Sequence, residues 1–163
     1  MRTREGMYTL MAELDGDVTE LGRVGQLNER AWHRIQNGAH DVLDYAALGF
    51  TMHSIYGVME NYFLRISKFF ENNLPPDTWH KTLVERMSLD IPNVRPALLT
   101  ERQDQDDVYA LLKFRHRFRN LYGEDLNPEL VSRLQGRLQE LLHRFPEIHT
   151  RFRNKLTAVA EAL

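Results

Sequence analysis

Apolar residues recur at intervals of three and four through almost every long stretch of this chain, and that spacing confines it to helices. From about Tyr8 to Gln36 the pattern runs Leu10, Met11, Leu14, Val18, Leu21, Val24, Leu27 and Ile35. Gly16, Gly22 and Gly25 interrupt it at up to ~1 kcal/mol each relative to alanine, so this helix is expected to bend or to start late. A second helix is predicted from about Ala39 to Asn72, stopped by Pro75-Pro76. Asp77 then offers a cap for a short third helix carrying Trp79, Leu83, Val84 and Met87. The periodicity breaks between Ser88 and Gln103, where Pro92 and Pro96 fix an irregular connection. A fourth helix is predicted from about Gln105 to Tyr122, ending at Gly123. Asn127-Pro128 starts the last one, a cap followed by proline at the first helical position, and Pro146 is expected to kink or divide it. No alternating β-branched run appears, so the expected fold is all-α, an antiparallel bundle of about five helices.

At 163 residues the chain is expected to form one domain, residues 1–163. Apolar and charged contents of 42% and 27% exclude a disordered or collagen-like chain. The absence of cysteine excludes disulfide scaffolds, thiolate metal sites and a cysteine nucleophile. No apolar run approaches the roughly 18 residues of a membrane helix. The opening residues lack an apolar stretch ahead of Glu13 and Asp15, so a cytoplasmic protein without membrane association is expected. A net charge of -2 argues against wholesale coating of nucleic acid but leaves room for a local basic patch.

Glycine-rich phosphate loops, zincin motifs, nucleophile elbows and calcium loops are absent from the sequence. Glu140 and His143 share a helix face, but a carboxylate-bridged di-metal bundle needs two such pairs and two further glutamates, so a solvated face is the better reading. His80 reads as a packing or surface histidine, because no second ligand stands at metal spacing. No metal and no cofactor are expected.

One segment departs from ordinary helix chemistry. Lys113-Phe114-Arg115-His116-Arg117-Phe118-Arg119-Asn120-Leu121-Tyr122 holds four basic residues and a histidine without an acid. At about 100° per residue, Arg115, Arg119 and Tyr122 share one stripe and His116 and Asn120 the next, while Leu111, Phe114, Phe118 and Leu121 form an apolar sector. Guanidinium groups grip phosphate oxygens, and an imidazole near neutral pH exchanges protons with a ribose hydroxyl, so the segment suits a phosphodiester. Cations near a helix C-terminus also favour its dipole, and the residues alone leave both readings open.

The segment resembles the signature of HEPN-domain proteins, in particular the HepT-like ribonuclease toxins, in which arginine is followed after four residues by histidine and then, one residue on, by tyrosine. Arg115 fills the arginine position and Tyr122 the tyrosine position. IYGVMENYFLRI, WHKTLVERM, NVRPALL and YGEDLNPE are similar to the same branch in order and spacing, over roughly residues 50–130. Asn120 stands at the family's catalytic histidine, and asparagine is neither acid nor base near neutral pH.

The resemblance implies an all-helical homodimer in which the motif helices of two subunits face one another across a basic cleft. It implies a metal-independent endoribonuclease, the toxin of a toxin–antitoxin pair, acting on RNA, with transfer RNA among the candidates. A minimal nucleotidyltransferase antitoxin is the implied partner. Carried onto this chain, Arg115 and Arg119 hold the scissile phosphate, His116 is the remaining acid–base group and Asn120 orients phosphate or water. Lys113 and Arg117 add RNA contacts, and Tyr122 is an RNA contact or the residue that the partner modifies. Glu60 falls where relatives carry an acid that steadies the motif arginine, although a surface glutamate is an equally ordinary occupant. The alternative reading is a non-catalytic HEPN module that binds RNA, nucleotide or its transferase partner.

Overall fold

The computed structural model describes residues 2–74, 79–120 and 127–163, and of Trp79, Arg119 and Asn120 the backbone alone. Pro75, Pro76, Asp77, Tyr122 and Gly123, on which several expectations rest, lie outside the described residues. Five helices follow in order: α1 (Arg4–Gln36), α2 (Val42–Phe70), α3 (Trp79–Met87), α4 (Arg102–Asn120) and α5 (Pro128–Glu161). Among the described residues there is no strand, only an isolated bridge between Ile91 and Arg95. The fold is all-α, as the apolar spacing requires.

α1 starts earlier than expected and runs unbroken through its glycines. The Thr3 hydroxyl accepts a hydrogen bond from the Gly6 amide and caps the first turn, and Met7, Leu10, Met11 and Leu14 bury the next two turns completely or nearly so. Packing therefore overrides glycine's poor propensity. α2 begins three residues later than its periodicity suggests, because Asp41 and Asp44 form a reciprocal capping box there. α4 starts at Arg102, ahead of the expected Gln105.

Pro146 does not divide α5, which is one helix through it. Proline removes one backbone hydrogen bond at a cost of about 3 kcal/mol in a helix interior. Phe145, Ile148, Phe152 and Leu156 are buried on both sides of it, and each such side chain contributes roughly 1.5–3 kcal/mol. Pro146 itself faces solvent. The Asn127 side chain accepts from the Glu129 and Leu130 amides, so this helix starts where Asn-Pro placed it.

α1, α2 and α5 pack on one another, α3 packs on α2 and α4, and α4 lies against both α2 and α5. Two polar clusters fix α1, α2 and α5 in register. Asn28 donates to the Thr51 hydroxyl (3.0 Å) and to Gln135 Oε1 (2.9 Å), and accepts from Gln135 Nε2 (2.6 Å). In the second, the Tyr62 hydroxyl donates to His149 Nδ1 (2.8 Å), His149 Nε2 donates to Asp15 (2.8 Å), and Arg153 completes the carboxylate. Burial, and then the Asp15 and Asp17 charges, push the Tyr62 phenol well above its ordinary range, so it remains neutral.

Two outcomes follow from these clusters. Asn28→Ala strands the buried Gln135 amide and should cost roughly 1–3 kcal/mol, whereas Asn28→Leu with Gln135→Leu should cost much less; urea midpoints at unchanged m check both. Burial works to raise the Asp15 carboxyl, but the hydrogen bonds from Arg153 and His149 outweigh it and hold the group below the usual aspartate range. Its contribution to stability is therefore complete above the unfolded aspartate pKa and is lost as pH falls through the lower folded value. Asp15→Asn should flatten the acid limb of a thermal-unfolding series.

Candidate functional site

Glu60 lies on the buried stripe of α2, one turn from Tyr56 and one turn from Phe63, where periodicity calls for an apolar side chain. It is 7% exposed. A buried carboxylate carries a desolvation penalty of several kcal/mol unless it is paired and hydrogen-bonded. Two groups from two other helices supply that pairing on the same oxygen: Arg115 Nη1 of α4 at 2.6 Å and His80 Nδ1 of α3 at 2.9 Å, both to Oε2.

Arg115 Nη1 also lies 3.4 Å from His80 Nδ1. Nδ1 cannot give its proton to Glu60 and accept one from Arg115 at the same time. The shorter carboxylate contact decides the tautomer, and the Arg–His approach is two donors gathered round one acceptor. The Arg115 guanidinium lies over the Tyr56 ring at 5.4 Å. Burial first, and then the Glu60 charge, raise the Tyr56 phenol far above its ordinary value, so it stays a neutral platform. Arg115 keeps 17% side-chain exposure and His80 35%, so solvent reaches both.

The structure places the remaining sequence-derived residues as follows. His116 is exposed one step round α4 from Arg115. The backbone puts Arg119 on the stripe of Arg115, one turn on, and Asn120 one turn beyond His116. Tyr122 lies outside the described residues. Lys113 and Arg117 do not join Arg115: they line a hollow between α4 and α5 together with Arg133 and Arg137. The run that reads as one acid-free block is thus divided between two faces of its helix.

His80 is the residue that sequence reasoning passed over. Its partner is 20 positions away on another helix, and no local pattern announces such a contact. Glu60 did leave a signal, since an acid at a core register position has to be paired. Near α4's end, His53 of α2 meets the Phe118 ring at 5.7 Å, and Phe118 stacks on Phe114. Glu140 and His143 are exposed, and no cluster of three or more metal-ligating side chains occurs among the described residues. No described helix is long and apolar enough to cross a membrane.

Removing one partner of the pair should show in stability. Glu60→Ala leaves Arg115 without its countercharge and should cost about 3 kcal/mol or more, while Glu60→Met combined with Arg115→Met should lie close to the parent. Thermal unfolding of the two variants side by side reads the difference.

Comparison with protein families gives a match to the model described as HepT-like protein over residues 47–156, from the first turns of α2 through α3 and α4 to near the end of α5. Comparisons with curated proteins and with solved structures gave no match.

Proposed function

The chain belongs to the HepT-like protein family of the HEPN superfamily, and from that premise we propose that it is a toxin-like endoribonuclease that cleaves RNA without a metal ion. The observation that carries this reading is the held guanidinium. Arg115, at the family's arginine position, is gripped by a buried carboxylate at 2.6 Å while part of it remains open to solvent. Glu60 takes one Nη1 proton and Nε lies buried without a partner among the described residues, so the Nη protons left over are what a guanidinium fixed in this way offers to phosphate.

In the proposed reaction Arg115 and Arg119 hold the scissile phosphate. His116 takes the proton of the ribose 2′-hydroxyl as that oxygen attacks phosphorus. The bond to the 5′-oxygen breaks and the leaving oxygen takes a proton from water, whose hydroxide is neutralised by the proton that His116 holds, giving a 2′,3′-cyclic phosphate and a 5′-hydroxyl. Asn120 orients phosphate or water. His80 serves as a positioning residue, sharing Glu60 with Arg115 and thereby limiting how far the guanidinium can turn. Lys113 and Arg117 contribute RNA contacts from the second face of α4, and Tyr122 is the target of a nucleotidyltransferase antitoxin.

We further propose a cytoplasmic homodimer formed through α2 and α4. The exposed Val42, Leu43 and Phe50 side chains on α2 support it, since Phe50 is 63% exposed on the helix that carries Glu60. A non-catalytic binding module is the second reading, and Asn120 at the histidine position favours it.

A cleavage time course in chelator separates the two. Wild type should cut RNA, His116→Ala should lose about 10²–10⁴-fold in rate with binding retained, and Arg115→Ala should lose both. Asn120→His should raise the rate. Loss in His80→Ala with full activity in His116→Ala would move the acid–base role to His80. RNA bound but never cut, by wild type and Asn120→His alike, leaves the binding module.

A further inference from the structure

We infer that the hollow between α4 and α5 is a second RNA-binding subsite, which takes a nucleotide several positions along the strand from the one held at Arg115. The inference rests on the RNA reading above and extends it to a face of the molecule that the Arg115 site does not reach. α4 turns about 100° per residue, so Arg117 projects about 200° away from Arg115, close to the opposite side of the helix. Lys113 and Arg117 are one turn apart on that side, and Arg133 and Arg137 are one turn apart on the facing side of α5. The four cations surround a hollow of about 260 Å³.

Its chemistry is twofold. Arg137 is tied to Asp107 at 2.9 Å and Arg133 to Glu129 at 3.2 Å, but Lys113 and Arg117 are exposed and form no ion pair among the described residues. Like charges one turn apart destabilise a helix, so this concentration of cations is relieved by an anion arriving from outside. Beneath the charges lies an apolar floor made by Ala110, Phe114, Leu130 and Leu134. Inorganic phosphate has no use for such a floor, and a run of carboxylate side chains has no flat apolar body to cover it. A nucleotide has both parts: its phosphate meets the arginine and lysine rim, and its base or sugar lies on Phe114 and the leucines.

The test uses the full chain and a short fluorescein-labelled 2′-O-methyl oligoribonucleotide, which binds without being cut, followed by anisotropy across a salt series. Each phosphate contact on a single strand contributes about 0.7 to the slope of log affinity against log salt. Lys113→Ala with Arg117→Ala should therefore bind more weakly, with a slope shallower by about 1.4, and Lys113→Glu with Arg117→Glu should bind weaker still. Both positions are exposed, so circular dichroism and the melting temperature should match the parent. An abasic oligomer should bind wild type several-fold more weakly than the base-bearing one. An unchanged slope in the double-alanine variant overturns this inference and leaves the Arg115 site standing. Polyglutamate that displaces the oligomer as well as RNA does assigns the hollow to an acidic protein and overturns it too. RNA that is bound with the expected slope loss but never cut supports the subsite while removing the cleavage reading. Wild type that binds no RNA at any salt overturns both.

Discussion

A single carboxylate sets the geometry of one half of this molecule. Glu60 is built into the apolar stripe of α2, where its charge is tolerated only because α3 and α4 each send a donor to it. Those two contacts are directional in a way that apolar packing is not. Leucine and phenylalanine allow a helix to slide or roll by small amounts, whereas a 2.6 Å ion pair with a second donor on the same oxygen fixes where α4 stands over α2 and how it is turned. The direction in which the basic segment faces follows from that contact, while the separation of its cations onto two faces follows from the helical turn itself.

The other end of α4 is held by the same physics with the signs reversed. Asp104 and Asp107, both buried, accept from Arg144 at 2.7 and 2.8 Å, and Asp107 also accepts from Arg137. α4 is therefore a strongly charged helix clamped at both ends by ion pairs, with Val108, Leu111 and Phe114 providing the apolar contact between them. Arg95 does similar duty in the connection before it. Its side chain is fully buried, paired with Glu71 at 2.7 Å and donating to the carbonyls of Arg86 and Leu89, which binds an irregular stretch to the end of α2. The NVRPALL segment thus carries a buried staple.

What the sequence made legible was whatever is local. Helix identity followed from spacing, and the start of α5 from Asn127 and Pro128, because a cap and a fixed φ act within a few residues. The early start of α1 and the continuity of α5 through Pro146 were hidden because burial of side chains far along the chain outweighs the local preference of glycine and proline. The same division runs through the site. Arg115 is legible from its motif, and Glu60 only as one of two readings. His80 was passed over because its importance lies in a contact between α2 and α3. The spacing of Lys113 and Arg117 turns them away from Arg115, but that α5 faces them there is a tertiary contact that the segment does not carry.

α1 lies outside the matched residues 47–156, yet it completes polar groups deep within them. Asn28 saturates the Gln135 amide and the Thr51 hydroxyl, and Asp15 receives the imidazole that the Tyr62 phenol leans on. Site and scaffold therefore have different extents along the chain. The residues that touch a phosphate in the proposed reaction all sit inside the shared segment, while part of the apparatus that keeps α2 and α5 parallel beneath them is supplied from outside it. A substitution in α1, far from any basic residue of the site, would be felt at Glu60 through the rails on which α2 is mounted.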